Sequence, residues 1–264
     1  MKTKLIKYLQ MDFKRAFFSR KFIGSFIGVC GCWCLGAVVD FGWNISVLYV
    51  VSAVVYGMPF LLVDIFCAIP YALGIQEDLE NRFVFLLVSR GSIKCYIIAK
   101  CIIICFSAII AMILGTFCFV LICRLQLPWV AQNDSTYELL LLNGGLRIFL
   151  LKKQFIIYYF LFALQYGMLT AFLSLLSALI SLWVKDKFLI LTLPVISYYV
   201  ISFFMNSVFI DNRADLYNIF VATMNIWNND LLSYIYAVGC SIGGITIVGI
   251  LIKKVLIRKV KGNE

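Results

Sequence analysis

The sequence predicts an all-α membrane protein with six transmembrane helices. Its 264 residues have a mean hydropathy of +0.99 and only 14% of them are charged, whereas about a quarter of a soluble domain is charged. Several apolar runs exceed the roughly 20 residues that a helix needs to cross a bilayer. These runs are apolar on every face and lack the alternation of a β-barrel strand, which favours helices.

The apolar runs divide the chain into six predicted spans within one domain, 1–264. We find no internal repeat or low-complexity linker in the sequence. The first apolar run is also not followed by a small-residue cleavage motif, so we expect no cleavable signal peptide. The predicted spans are 22–39, 47–73, 95–123, 155–183, 188–208 and 231–252.

Lysine and arginine residues predict the orientation of these spans. Eighteen of the 23 basic residues fall in the N-terminal segment, the connections after spans two and four, and the C-terminal tail. Because cytoplasmic segments are enriched in Lys and Arg, both termini are predicted to be cytoplasmic. We therefore expect a multi-pass membrane protein. The basic residues lie between spans, so the net charge of +10 does not indicate nucleic-acid binding.

The N-terminal residues 1–21 predict an amphipathic helix that lies along the inner membrane interface. Leu5, Leu9, Phe13 and Phe17 recur every fourth residue, and the lysines fall mainly on other faces. This pattern is typical of a helix with its apolar face in the bilayer. The alternative is a basic topogenic signal with no further role.

Residues 75–100, "IQEDLENRFVFLLVSRGSIKCYIIAK", predict a second cytoplasmic helix between spans two and three. Acidic residues in its first turn suit the helix dipole, and Asp78 and Arg82 are spaced as an i, i+4 pair. Gly91 is expected to end this helix and Ser92 to cap the next. A solvated connector is the alternative, but the apolar stripe needs a covering surface: the membrane interface, the bundle or a partner protein. The stripe consists of Leu79, Phe83, Leu86 and Leu87.

The outer connections differ in length. Residues 124–154 form a long loop whose second half is apolar enough to lie on or dip into the outer leaflet. Residues 215–227 are too short to span and predict an interfacial or re-entrant helix before the last span.

The ten cysteines predict packing within the spans, since a buried free cysteine behaves as a small hydrophobe. The chain has no histidine, which excludes zinc sites that mix Cys and His. A metal or redox role for the cysteines is the alternative.

Two segments resemble the ABC-2 type transporter permeases: "YALGIQEDLENRFVFLLVSRGSIKCYIIAK" (71–100) and "YLQMDFKRAFFSRKF" (8–22). The resemblance extends to the whole chain at the level of layout, with six spans and both termini inside. It implies a small permease of the kind that exports peptides, antimicrobial compounds or lipophilic molecules, including self-immunity permeases.

The resemblance also implies partners. Two ATPase subunits would drive two permease copies, identical or paralogous, and would bind ATP and Mg²⁺. This chain has no Walker A loop, so we expect no cofactor of its own and no enzymatic activity. The family's loop helix contacts the ATPase, and the residues carried over to that contact are Glu77, Asp78, Glu80, Asn81, Arg82, Phe83, Leu87 and Arg90.

Polar residues inside the predicted spans are candidates for a translocation path. Asp64 lies in mid-span between Pro59 and Pro70, prolines that are expected to kink the helix. An ionised acid at this depth is costly unless it is paired or hydrated, so a pathway role and a structural polar contact both stay open. Gln165, Tyr166 and Asn206 are the further candidates.

Three other function classes compete with an ATP-driven exporter. A membrane sensor or immunity protein that binds a peptide without transporting it would need no ATPase. An intramembrane enzyme is disfavoured because no paired acids or Ser/Lys pair stand out at membrane depth. An ion-driven transporter would more often contain inverted repeats and several buried charges.

Overall fold

A computed structural model describes residues 2–38, 46–57, 59–84, 92–131, 134–208 and 216–261. Regular structure within these ranges is helical. We number twelve described helices in chain order: α1 Lys2–Phe17, α2 Arg20–Val38, α3 Val47–Val55, α4 Phe60–Ala68, α5 Gly74–Glu80, α6 Ile93–Gln126, α7 Ser135–Asn143, α8 Arg147–Leu151, α9 Phe155–Ile180, α10 Lys187–Val208, α11 Leu216–Phe220 and α12 Asp230–Lys261.

Five helices are long and apolar enough to cross a membrane: α2, α6, α9, α10 and α12. They correspond to predicted spans one, three, four, five and six. Over the predicted span 47–73, the kink expected at Pro59 is a break between two helices, because α3 ends at Val55 and α4 begins at Phe60 with a bend of 78° between them. Pro59 stands at the N-cap of α4 and lacks an amide hydrogen, so the helix cannot continue through it with a full set of hydrogen bonds. The bent pair counts as one broken span or as a re-entrant loop.

The centre of the bundle is an aromatic core between α2, α4, α6 and α9. Trp33 is fully buried and stacks on Phe119 with ring centroids 5.5 Å apart. Phe60 meets the edge of Trp33 at 5.5 Å and of Tyr166 at 5.0 Å. All ten cysteines are free thiols, and several of them join this packing.

Short helices and turns cover one end of the bundle, which we define by α7, α8, α11 and the start of α12. The predicted interfacial helix over 215–227 is wrong in extent, because α11 ends at Phe220 and turns follow. Asparagines favour turns over a helix interior, and Asn228 adopts a left-handed conformation with φ 52°. Arg147 ties this region to α12 through a 3.1 Å ion pair with Asp230.

The opposite end, here called the basic end, is defined by α1, α5, the start of α6 and the last turns of α12. A second core cluster joins these elements and includes Ala16, Ile75, Ile97 and Leu256. Lys259 also donates a hydrogen bond to the carbonyl oxygen of Leu182. The N-terminal helix is therefore packed on the bundle as well as amphipathic.

Candidate functional site

The basic end contains a buried cluster of charged and tyrosine side chains drawn from three helices and one turn. No local sequence motif encodes this site, because its members come from separate parts of the chain. One or two residues each come from α1, the α4–α5 turn, α5 and α6. Its members are Asp12 and Arg15 from α1, Tyr71 from the turn, Asp78 from α5, and Tyr96 and Lys100 from α6.

Lys100 is the centre of the cluster, and its side chain is 0% exposed. Its Nζ lies 2.8 Å from Asp78 Oδ2 and 3.2 Å from Asp12 Oδ1. It also donates a 2.6 Å hydrogen bond to the Tyr71 hydroxyl. Gly74 lies beside the cluster, where an added Cβ atom would be 3.3 Å from the Tyr71 ring and 3.4 Å from Lys100 Nζ.

Asp78 is surrounded by donors. The Tyr96 hydroxyl donates to its Oδ2 at 2.8 Å, and Arg15 Nη2 donates to its Oδ1 at 2.9 Å. Burial alone would raise the pKa of Asp78, but the charge of Lys100 and the hydrogen bonds from Lys100, Arg15 and Tyr96 outweigh it and hold the pKa below its ordinary value. Asp78 is therefore ionised at neutral pH.

The pKa of Arg15 is shifted by the same buried surroundings and acidic neighbours. Burial would lower the pKa of its guanidinium, yet the hydrogen bond to Asp78 and the nearby acidic groups raise the pKa above its ordinary value. The cluster thus matches two acidic side chains with two basic ones. Asp12 accepts a 2.5 Å hydrogen bond from Tyr71 through Oδ1, while its buried Oδ2 has no hydrogen-bond partner among the described residues.

The cluster fixes α5 to α1 and α6. Removing one member of a buried ion pair leaves an uncompensated charge, which costs about 3–5 kcal/mol. Because α5 has only seven residues, its own hydrogen bonds would not hold it in place. The buried charges therefore make α5 a rigid extension of the bundle.

The structure places Asp78 differently from the sequence prediction. The predicted i, i+4 pair with Arg82 is not formed, because Asp78 is 1% exposed and faces Lys100 and Arg15. The predicted single helix across this segment is also wrong: α5 ends at Glu80, and Arg82 adopts a left-handed conformation with φ 55°. Asp78 thus holds the segment on the bundle rather than presenting a free charge.

The other predicted coupling residues lie closer to the surface. Glu77 pairs with Lys21, and Glu80 accepts a 2.8 Å hydrogen bond from Gln76. The remaining described members are the exposed Asn81 and Arg82 and the half-buried Phe83, whereas Leu87 and Arg90 lie outside the described residues.

The predicted path residues are only partly brought together. Asp64 is 1% exposed, and neither of its carboxylate oxygens has a hydrogen-bond partner among the described residues. The Tyr199 side chain of α10 interacts with this carboxyl group without meeting the geometry of a hydrogen bond. Tyr166 contacts Phe60, one turn before Asp64 on α4.

The other two candidates for the translocation path, Gln165 and Asn206, are not placed next to Asp64 by any described contact. Gln165 is engaged elsewhere, since its Nε2 donates to the Ile219 carbonyl at 3.1 Å. Asn206 lies in α10, and its side chain falls outside what the structure describes.

Sequence reasoning missed the roles of Asp12, Arg15, Tyr71, Tyr96 and Lys100. One signal was present: Lys100 falls inside predicted span 95–123, and a lysine at that depth needs a partner. A second was Asp12, a lone acid in a basic N-terminal helix. Neither residue was assigned a role from the sequence, and only the fold brings the two together.

Comparison of the chain with protein-family models, with curated proteins and with solved structures finds no match. In the described part of the chain, no group of three or more Cys, Asp or Glu residues is arranged to hold a metal ion.

Proposed function

We propose that the chain is the membrane subunit of an ATP-driven exporter of the ABC-2 type. A separate ATPase would supply the energy, and the cargo would be a peptide, an antimicrobial compound or another lipophilic molecule. The proposal includes six membrane crossings, with the bent α3–α4 pair as the second, both termini in the cytoplasm, and a location in a bacterial plasma membrane.

The observation that carries the proposal is the construction of α5. This charged helix lies between the second and third proposed spans and is tied to α1 and α6 by the buried cluster. At the same time Glu80, Asn81 and Arg82 are exposed. A short element that is anchored to the bundle and exposes polar side chains suits a contact with a moving partner.

The mechanism assigns two jobs to this segment. The exposed residues Glu80, Asn81 and Arg82, with the half-buried Phe83, contact the ATPase. The buried Asp78 transfers the displacement to the bundle, since packed elements move as rigid bodies rather than deforming continuously. ATP and Mg²⁺ bind to the partner, and this chain holds and moves the cargo.

We further propose that two copies of the bundle, identical or paralogous, form the pathway. Asp64 is the path residue with the strongest support, because a buried carboxyl group without a hydrogen bond is costly in stability and such groups concentrate where function requires them. Gln165 and Tyr166 stand on the neighbouring helix α9.

Co-purification tests the proposal directly. The full-length protein, isolated from its native membrane in mild detergent, is expected to carry a polypeptide that contains a Walker A loop and hydrolyses ATP. The double charge reversal Glu80→Lys/Arg82→Glu is expected to reduce the amount of bound ATPase at least tenfold. The matched control reverses two exposed charges elsewhere at the basic end, Lys254→Glu and Arg258→Glu, and should retain the partner.

Isolation of a folded protein without any nucleotide-hydrolysing partner would refute the exporter. Retention of the partner by the Glu80/Arg82 variant at the level of the control would leave the exporter standing but would refute the assigned contact.

A further inference from the structure

A groove of about 740 Å³ lies between α1 and the first turns of α6, on the side of α1 that faces away from the buried cluster. Its apolar wall includes Met11, Phe13, Phe18 and Ile103. Phe18 is 84% exposed and Phe13 41%. A large aromatic residue this exposed requires an apolar surrounding, which a lipid bilayer supplies.

The polar rim of the groove is basic. Lys7, Gln10 and Lys14 lie on the rim at positions i, i+3 and i+7, which share one face of a helix. Neither lysine forms an ion pair with any described residue, whereas the acids of the basic end are engaged on the opposite side of α1. A rim with two unpaired cations and an amide donor fits a phosphate group.

An exposed apolar stripe of α6 lies beside α1, where the Phe106 ring contacts the Phe17 ring at 5.9 Å. Ile98, Ile102 and Phe106 recur every fourth residue and are 45%, 46% and 46% exposed. Such a stripe on a spanning helix faces lipid tails. A phosphate at the lysine rim would thus stand at the head of a track suited to an acyl chain.

We propose that this groove binds one anionic phospholipid, with its phosphate at Lys7 and Lys14 and an acyl chain along Met11, Ile103 and the exposed stripe of α6. The charge of the rim selects an anionic headgroup over a zwitterionic one, and the apolar wall selects an intact lipid over a free phosphate ester. The inference requires only that the helices span a membrane, and it does not depend on an ATPase partner.

The first test measures headgroup selectivity. Full-length protein is stripped of lipid in detergent and mixed with equal amounts of phosphatidylglycerol and phosphatidylcholine of identical chains, and native mass spectrometry counts the bound lipids. Each lysine near a membrane surface contributes about 1 kcal/mol to the attraction of anionic lipid, or roughly fivefold. Lys7→Gln/Lys14→Gln should therefore lower the phosphatidylglycerol preference by up to about 25-fold, while Lys253→Gln/Lys254→Gln, two exposed lysines of α12, should leave it within about twofold of wild type.

The second test separates a groove from a charged surface. Met11→Trp fills the apolar wall and leaves both lysines in place, so bound phosphatidylglycerol should fall several-fold. Glycerophosphoglycerol, the same headgroup without chains, should not compete. Equal binding of the two lipids by wild type, an unchanged preference in the Lys7/Lys14 variant, unchanged binding by Met11→Trp, or competition by the free headgroup would each overturn the proposal. Thermal unfolding of every variant verifies that its fold is retained.

Discussion

Replacement of Lys100 by Met tests whether the buried cluster holds the basic end together. The substitution keeps most of the apolar side-chain volume and removes the ammonium group that lies 2.8 Å from Asp78 and 3.2 Å from Asp12. Asp78 keeps the 2.9 Å hydrogen bond from Arg15. Asp12 keeps only the Tyr71 hydroxyl as a close donor, so about one buried charge loses its compensation.

The expected loss is about 3–5 kcal/mol, the range observed when one partner of a buried pair is removed. That is a large fraction of the roughly 5–15 kcal/mol that separates folded from unfolded domains. Unfolding of the full-length protein in mixed micelles of increasing SDS content measures the difference. The control is Lys94→Met on the same helix, where the side chain is exposed and the expected change is within about 0.5 kcal/mol.

A second substitution distinguishes charge balance from packing. Asp12→Asn in the Lys100→Met background removes the carboxylate that the first change leaves uncompensated, while the Arg15–Asp78 pair remains. The double variant should therefore be more stable than Lys100→Met by roughly 1–3 kcal/mol, the usual coupling energy of residues in one network. If Lys100→Met unfolds like Lys94→Met, or if Asp12→Asn makes the loss larger, the cluster does not act as argued.

Three further changes test separate parts of the structure. The pKa of Asp78 is lowered in the folded protein, so its contribution to stability is present above the unfolded pKa of about 3.9 and is lost as pH falls through the folded pKa. The stability difference between wild type and Asp78→Asn should therefore be constant from about pH 7 to 5 and shrink below about pH 4. A difference that grows on acidification would contradict this. Gly115→Ala would place a Cβ atom 2.4 Å from Cγ1 of Val29, so SDS unfolding should show a loss of about 1–3 kcal/mol, whereas Gly31→Ala, with open space around it, should be neutral or stabilising. Asp64→Asn removes a buried acid without a hydrogen bond among the described residues and should leave stability unchanged or raise it by about 1–3 kcal/mol while cargo transport in vesicles falls; a loss of more than about 1 kcal/mol would indicate a strong native partner.

The length of the apolar runs predicted the long helices because a run of about 20 apolar residues has few alternatives in a bilayer. Five predicted spans coincide with single helices that meet the length and apolarity of a span. In the second span the sequence predicted a kink at the prolines, and the structure has a break at Pro59. A kink and a complete break differ only in how neighbouring helices support the freed backbone groups, and that support is a tertiary property.

The cluster was harder to predict for a related reason. Asp12 and Lys100 are 88 residues apart in the sequence, and a single sequence carries no information about which distant residues are in contact. Local reasoning assigned Asp78 to the nearest basic residue on its own helix, Arg82. Burial decides otherwise: Asp78 gains more from three donors in a low-dielectric interior than from one exposed partner in water.

Asp78 and Asp64 are both buried and lie close together in the chain, but their carboxylate oxygens differ in how well they are hydrogen-bonded. Asp78 has donors on both oxygens, so it suits a rigid joint. Asp64 lacks a hydrogen bond among the described residues, so its surroundings gain free energy from any movement that hydrates it or brings a donor. Only the turn 69–73 separates α4, which contains Asp64, from α5, and Tyr71 of that turn is itself bonded to Lys100 and Asp12. Under the proposed function, we therefore expect a displacement of α5 to reach α4 through this turn and to change the surroundings of Asp64.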